Sequence, residues 1–460
     1  MNRKEAQNEQ EIEMDHFHTM HGCACRSRDR YRLTVQAVAS PPADQTGPYK
    51  VGFVATMYYD STRSDFAGGP RPILTFIWYP AAPDNDGNPM PSAVYPMHVI
   101  GLGDLPDASS TDFEAYGIDP AYQEVVASKD APFPLVIFSP GGQADSLGYV
   151  HIGTRLASHG FVVAVPTNFD DGHPEFYPSP EAHAVASNVG RTRDIQYLMT
   201  QLVAASQQPG NLLSGTIRPD QIAVAGHSLG GWAALALAGG DDEACDFAGL
   251  LDPNKLPPGT CGPILPDPRI KAIVPLDGSN QYLLYDEMSR IKIPTMWIGQ
   301  EWNNMESTTG GFGFMVARAH SAIKSRANYR LDIAYAIHNS FSSYCTYIQV
   351  LHDKGLIDDQ ILDTATPSNC PPESISAAEI ENLTTQYMIA FLKTVLVGEN
   401  GYKEMLTADY ALENEPFIEF FETEQGSPDE TVEEGYFSYF KHQSDTEQAT
   451  ALKDPFMKVP

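Results

Sequence analysis

Apolar residues recur along this chain in two rhythms. Short unbroken runs occur at 133–139 (FPLVIFS), 161–166 (FVVAVP), 221–226 (QIAVAG), 269–278 (RIKAIVPLDG) and 293–300 (IPTMWIGQ). Such runs suit strands buried on both faces of a parallel sheet. Between them lie stretches of helical rhythm: 149–160, 186–206 with Val189, Ile195, Leu198 and Leu202 at helical spacing, and 232–239 (WAALALAG). Two segments rich in β-branched and aromatic residues come earlier, at 50–60 (KVGFVATMYYD) and 73–80 (ILTFIWYP), and read as strands. In 328–338 (NYRLDIAYAIH), Leu331, Ile333, Tyr335 and Ile337 alternate with other residues, which predicts a last strand running to His338. Residues 101–132 are polar and turn-rich and read as a surface excursion, and 376–397 read as an amphipathic helix.

Strands that alternate with helices predict an α/β fold. Its mostly parallel central sheet is covered by helices on both faces, with loop insertions over the carboxyl ends of the strands, where such sheets place reactive groups. The expected division is a flexible extension over 1–46, a catalytic domain over 47–400, and an acidic extension over 401–460 packing on that domain. With 460 residues, 42% of them apolar, the chain can bury a full core. Acidic residues outnumber basic ones 59 to 29, and the resulting charge of −30 argues against a nucleic-acid partner and disfavours anionic substrates at long range. No run approaches the ~18 apolar residues of a membrane-crossing helix.

Cysteines stand at 23, 25, 245, 261, 345 and 370. Cys245 with Cys261, and Cys345 with Cys370, bracket loops, which predicts two disulfides and an oxidising compartment. The opening MNRKEAQNEQEIEMD lacks the apolar core of a secretory signal and so disagrees with the cysteines; on the cysteines, export (secretion or the periplasm) is favoured, with the cytoplasm as the alternative. Residues 15–25 gather His16, His18, His21, Cys23 and Cys25 without CxxC or HxxxH spacing, and read as an exposed tail rather than a metal site.

The chemistry gathers at 226–230. Gly226-His227-Ser228-Leu229-Gly230 fits G-x-S-x-G, with a buried strand before it and a small-residue helix after it. In that context the glycines let strand and helix approach closely while the serine is lifted out on a strained turn. Ser228 is therefore the predicted nucleophile. A nucleotide-binding turn would carry GxGxxG or GxxxxGK[ST], and neither pattern is there. The Leu229 amide, at the helix start, is one expected oxyanion donor. The turn after 133–139, SPGGQ, offers the second, Gly142 first and Gln143 next, and Gln143 is also expected to border the substrate pocket.

Among thirteen histidines, His338 is the predicted base, because it follows the last strand and this architecture imposes the order serine, acid, histidine. His227 is too close in sequence to turn back onto Ser228. His151 and His159 read as structural, His320 falls in a helix-like segment, and His173 and His183 belong to a loop at the cleft. Two strand ends offer the acid: Asp277, after IKAIVPL, and Glu301, after the next strand. Asn303 stands where many hydrolases of this architecture carry Asp, and an amide cannot compensate an imidazolium, so Asp277 is preferred and Glu301 is the alternative.

With these residues assembled, the chain resembles the α/β-hydrolase fold and, within it, the platelet-activating-factor acetylhydrolase group with its bacterial dienelactone-hydrolase-like relatives. The matching pieces are GPYKVGF, LTFIWYPA, LVIFSPGG, GHSLGGWAALALAG, VPLDG, IPTMWIG and AIHNSF, in order over about 47–400. The resemblance implies an acid after VPLDG, which is Asp277, and hydrolysis of esters of short or truncated acyl groups without metal or cofactor. Pro140 departs from it, since the acetylhydrolases carry His before the oxyanion glycine, so a phospholipid substrate does not carry over. Segment 302–327 also departs: Trp302 and Phe312, beside Gly310, Gly311 and Gly313, read as a flap supplying an apolar acyl or aromatic pocket, or else as a surface helix with a glycine-rich lead-in. The expected function is a serine carboxylic ester hydrolase acting on a small short-chain acyl or aromatic ester. A thioesterase, amidase or acyltransferase using the same residues is the alternative, and a non-catalytic binding protein is the third.

Overall fold

The unbroken apolar runs form the centre of a sheet that has ten strands among the described residues. The structure is a computed structural model and describes residues 40–64, 68–99, 103–177, 179–242, 244, 262–278, 283–300, 319–367, 369–370 and 375–422. The chain divides into two units, Met1–Ser40 and Pro41–Pro460, and only Ser40 of the first is among the described residues. In chain order the strands are β1 (Lys50–Ser64), β2 (Pro70–Ala81), β3 (Val94–Val99), β4 (Gly103–Ser109), β5 (Ala121–Gln123), β6 (Phe133–Ser139), β7 (Val162–Pro166), β8 (Ile217–His227), β9 (Ile270–Leu276), β10 (Thr295–Gln300), β11 (Asn328–Ile333) and β12 (Ile418–Glu422). Across the sheet they run β12-β11-β10-β9-β8-β6-β7-β2-β1-β5, while β3 and β4 pair by themselves. The six neighbours from β11 to β7 are parallel. Antiparallel pairing begins at β2 on one side and β12 on the other.

The parallel strands are apolar throughout because successive side chains enter different cores. Leu135 and Ile137 of β6 pack into one cluster, Val136 and Phe138 into the other. Each such fully buried side chain contributes ~1.5–3 kcal/mol. Helices α1 (Val150–Ser158), α4 (Tyr344–Asp353) and α5 (Ala377–Leu392) cover the face that receives Val136. Helices α2 (Pro180–Gln207) and α3 (Leu229–Gly239) cover the other. This is the α/β-hydrolase arrangement, and the carboxyl ends of β6, β8, β9, β10 and β11 lie along one rim of the sheet.

Three sequence expectations change here. The strand expected to be the last and to run to His338 is followed by β12, and it stops at Ile333, because Tyr335 takes a left-handed conformation (φ 62°) and turns the chain; His338 instead opens a 3-10 turn, His338–Phe341. The 101–132 stretch is more than a polar excursion: Phe113, Ile118 and Ala121 are buried in the core, and Ala121 belongs to the sheet's edge strand β5. The helix expected over 376–397 ends at Leu392 and passes into a π turn, Lys393–Val397. Cys345 and Cys370 form a disulfide, while Cys245 and Cys261 lie outside the described residues. No helix among the described residues is long and apolar enough to cross a membrane.

Candidate active site

Ser228 occupies the turn between β8 and α3 at φ 54°, ψ −118°. Two backbone bonds hold it there: its N–H donates to Leu276 O of β9 (3.0 Å), and its carbonyl accepts from Trp232 N (3.1 Å). The flanking glycines are sterically required. A Cβ on Gly230 would lie 1.9 Å from the Ser139 carbonyl oxygen, and one on Gly226 would lie 2.5 Å from the Gly230 backbone. The serine side chain is half-buried, and among the described residues its hydroxyl makes no hydrogen bond.

Asp277 follows β9, the strand beside β8, and is also left-handed (φ 42°), with its N–H on Ile298 O (2.7 Å). Its carboxylate Oδ2 accepts from His338 Nδ1 and from Gln300 Nε2 (3.0 Å). The Asp277 side chain is 1% exposed, whereas that of His338 is 32% exposed. With the Nδ1 proton engaged by a carboxylate, Nε2 of His338 is left as the free, basic nitrogen.

His338 is tied to the elbow through His227. The His227 ring stands 4.6 Å from the His338 ring, and its Nε2–H donates to the His338 carbonyl (2.8 Å). That proton placement makes Nδ1 the acceptor for the Tyr149 hydroxyl (2.9 Å), which in turn accepts from the Gly141 N–H (3.0 Å). A single line of hydrogen bonds thus runs from the turn after β6, past the serine, to the histidine loop. Burial holds the His227 imidazole well below its ordinary pKa, with the neighbouring His338 adding to the effect, and so keeps it neutral.

The turn after β6 presents its amides selectively. The N–H of Gly141 is engaged by Tyr149, and that of Gln143 donates to Asp171 Oδ2 (3.1 Å). The Gly142 N–H between them has no partner among the described residues. A Cβ on Gly142 would lie 2.7 Å from Leu229 Cδ1, so this amide adjoins the first residue of α3, whose N–H is free of intrahelical bonding. The alternative donor Gln143 is occupied in this arrangement.

The remaining sequence candidates divide simply. Trp302, Phe312, Glu301 and Asn303 lie outside the described residues. His151, His159 and His320 are buried, and His183 Nε2 donates to the Asp170 carbonyl (2.6 Å). His173 pairs with Glu175 at the surface. No group of three or more His, Cys, Asp or Glu among the described residues is arranged to hold a metal. Sequence reasoning passed over Tyr149 and Gln300, and weighed Asp171 only as an acid that precedes the serine and so fits the chain order poorly. Each is a polar residue near a strand end, which is the available signal, but their partners come from other strands.

Comparison with known proteins bears on the fold. The family described as platelet-activating factor acetylhydrolase, isoform II, matches residues 43–173, a stretch from ahead of β1 to just beyond β7 that stops short of Ser228. The chain resembles that esterase family and has the α/β-hydrolase fold. A ferulic acid esterase from Streptomyces cinnamoneus has a similar structure, with a TM-score of 0.54 and 19% identity over 84% of this chain and 99% of that one. No curated protein matches the chain.

Proposed function

We propose that this protein is a serine carboxylic ester hydrolase with Ser228 as nucleophile, His338 as general base and acid, and Asp277 as the orienting carboxylate. In this reading His338 Nε2 takes the Ser228 proton as Oγ attacks the ester carbonyl. The tetrahedral oxyanion accepts hydrogen bonds from the Gly142 and Leu229 amides. The imidazolium then protonates the departing alkoxide, leaving an acyl-serine. Water, deprotonated by the same imidazole, attacks that ester and releases the acid and free Ser228.

The observation carrying the proposal is the His338 Nδ1–Asp277 hydrogen bond beside the elbow that bears Ser228. The likeness to the acetylhydrolase family supports a small ester with a short acyl group, and the Cys345–Cys370 disulfide supports secretion or a periplasmic location. The test is labelling by a fluorophosphonate probe together with hydrolysis of p-nitrophenyl esters graded by chain length and of a bulky aromatic diester. Wild type is expected to label at Ser228, and Ser228→Ala to lose labelling and lower kcat by ~10⁴-fold or more. A Ser228→Ala variant with near-native esterase activity would overturn the proposal.

A further inference from the structure

We propose that Arg191 and Asp171, which the reaction itself does not use, are positioning residues that aim the Gly142 amide at the oxyanion; the inference rests on the esterase reading above. Both ends of the turn at 140–143 are held by this pair. At one end the Pro140 carbonyl accepts from Arg191 Nη1. At the other end the Gln143 N–H donates to Asp171 Oδ2 (3.1 Å). The pair closes on itself, because Arg191 Nη2 donates to that same Oδ2 (2.9 Å). A closed circuit of hydrogen bonds therefore runs through Pro140, Arg191, Asp171 and Gln143, with Gly142 inside the span it clamps.

Two further features mark the circuit as built for geometry. Gln143 sits at φ 57°, a left-handed conformation that a non-glycine residue resists, and its bond to Asp171 holds it there. Ser187, about one turn earlier on α2, donates to the second Asp171 oxygen and fixes the carboxylate plane. Arg191 is fully buried and Asp171 is 5% exposed. A buried ion pair gains little stability over apolar groups of the same volume, so its contribution here is directional. The planar guanidinium fork addresses a carbonyl and a carboxylate at once, which a lysine ammonium does less well. Oxyanion stabilisation depends on donors aimed before the charge develops, and the Gly141-Gly142 backbone has little stiffness of its own to provide that.

The test uses the full-length protein with a fluorophosphonate probe, a p-nitrophenyl ester and a trifluoromethyl ketone, which captures the serine as a tetrahedral oxyanion. Arg191→Met is expected to lower kcat ~100-fold while KM stays within about threefold, and to weaken ketone binding by the same factor as kcat/KM. Arg191→Lys keeps the buried charge and is the variant that carries the test if Arg191→Met does not fold; its expected loss in kcat is ~10-fold. Native kcat in either variant, with a wild-type melting temperature, would overturn the proposal. So would a fall in kcat with ketone affinity intact. If wild type fails to label at Ser228, the esterase reading falls first and this inference falls with it.

Discussion

Ser228, Asp277, Gln143 and Tyr335 share an uncommon property: each is a non-glycine residue at positive φ, among six such residues described. Backbone conformations of this kind cost ~1–3 kcal/mol each and persist where surrounding structure determines them. Here they set the direction of Ser228, of the Asp277 carboxylate and of the turn at 140–143, and they bend the chain ahead of His338. The carboxylate assignment can be checked directly. Asp277→Asn is expected to lower kcat by ~10⁴-fold, because an amide favours the wrong imidazole tautomer, whereas Glu301→Gln should cost less than tenfold. Steady-state kinetics on one ester, with both variants side by side, decides it; the reverse ranking would move the role to Glu301. Ser228 was legible from the chain because the glycines two positions either side report a local steric demand. Asp277 could be read only against a rival, since two strand ends carried a carboxylate and chain order alone did not say which one pairs with His338.

The strand–turn–helix unit of β8 and α3 is where local sequence and packing agree most closely. Its small residues allow α3 to lie against the strand, and all but the first and one alanine of Leu229–Gly239 are buried. Gly230→Ala is expected to destabilise the fold by ~3 kcal/mol and to abolish activity, since its Cβ meets backbone that cannot yield. Denaturant unfolding checks the first effect, and a variant with wild-type stability would contradict the packing described. The stretch 328–338 shows how periodicity misleads. Alternation continues past Ile333, yet Tyr335 is 55% exposed and left-handed, so the rhythm outlasts the strand. Residues 101–132 err in the opposite sense: a polar average conceals Phe113, which anchors the segment in the core.

The molecule as a whole carries a charge of −30, yet its pH response should be governed by a few buried groups. Burial pushes the His151 imidazole down from 6.5 to about 3, with Arg155 adding to the effect, and His320 down to about 4, with Arg330 adding. His227 is held well below 6.5, first by burial. Each binds a proton more readily in the unfolded chain, so folding stability rises with pH up to about 6.5 and is lost as pH falls from there toward 3. A tenfold difference in proton affinity between the folded and unfolded chain is worth ~1.4 kcal/mol, so the combined loss on acidification is on the order of several kcal/mol. Glu381 acts with the opposite sign: burial raises its carboxyl from 4.5 to about 8, so the folded state holds its proton longer and stability declines as pH rises from 4.5 toward 8. Unfolding midpoints across pH 4 to 9 should show both limbs, and Glu381→Gln should flatten the alkaline one. An alkaline limb unchanged in that variant would exclude Glu381 as its source.

The alternation of buried strands with helices and the elbow serine could be read from the chain, because each depends on residues close in sequence, and the late histidine was read from chain order. Periodicity reports burial, and glycine spacing reports backbone contact. The network that readies those groups is of another kind. Tyr149 reaches His227 across 78 positions, Gln300 reaches Asp277 across 23, and Arg191 reaches Pro140 across 51. Hydrogen-bond partners so far apart leave no periodic trace, since one polar residue near a strand end resembles any other until β6, β8, β9 and β10 are laid side by side.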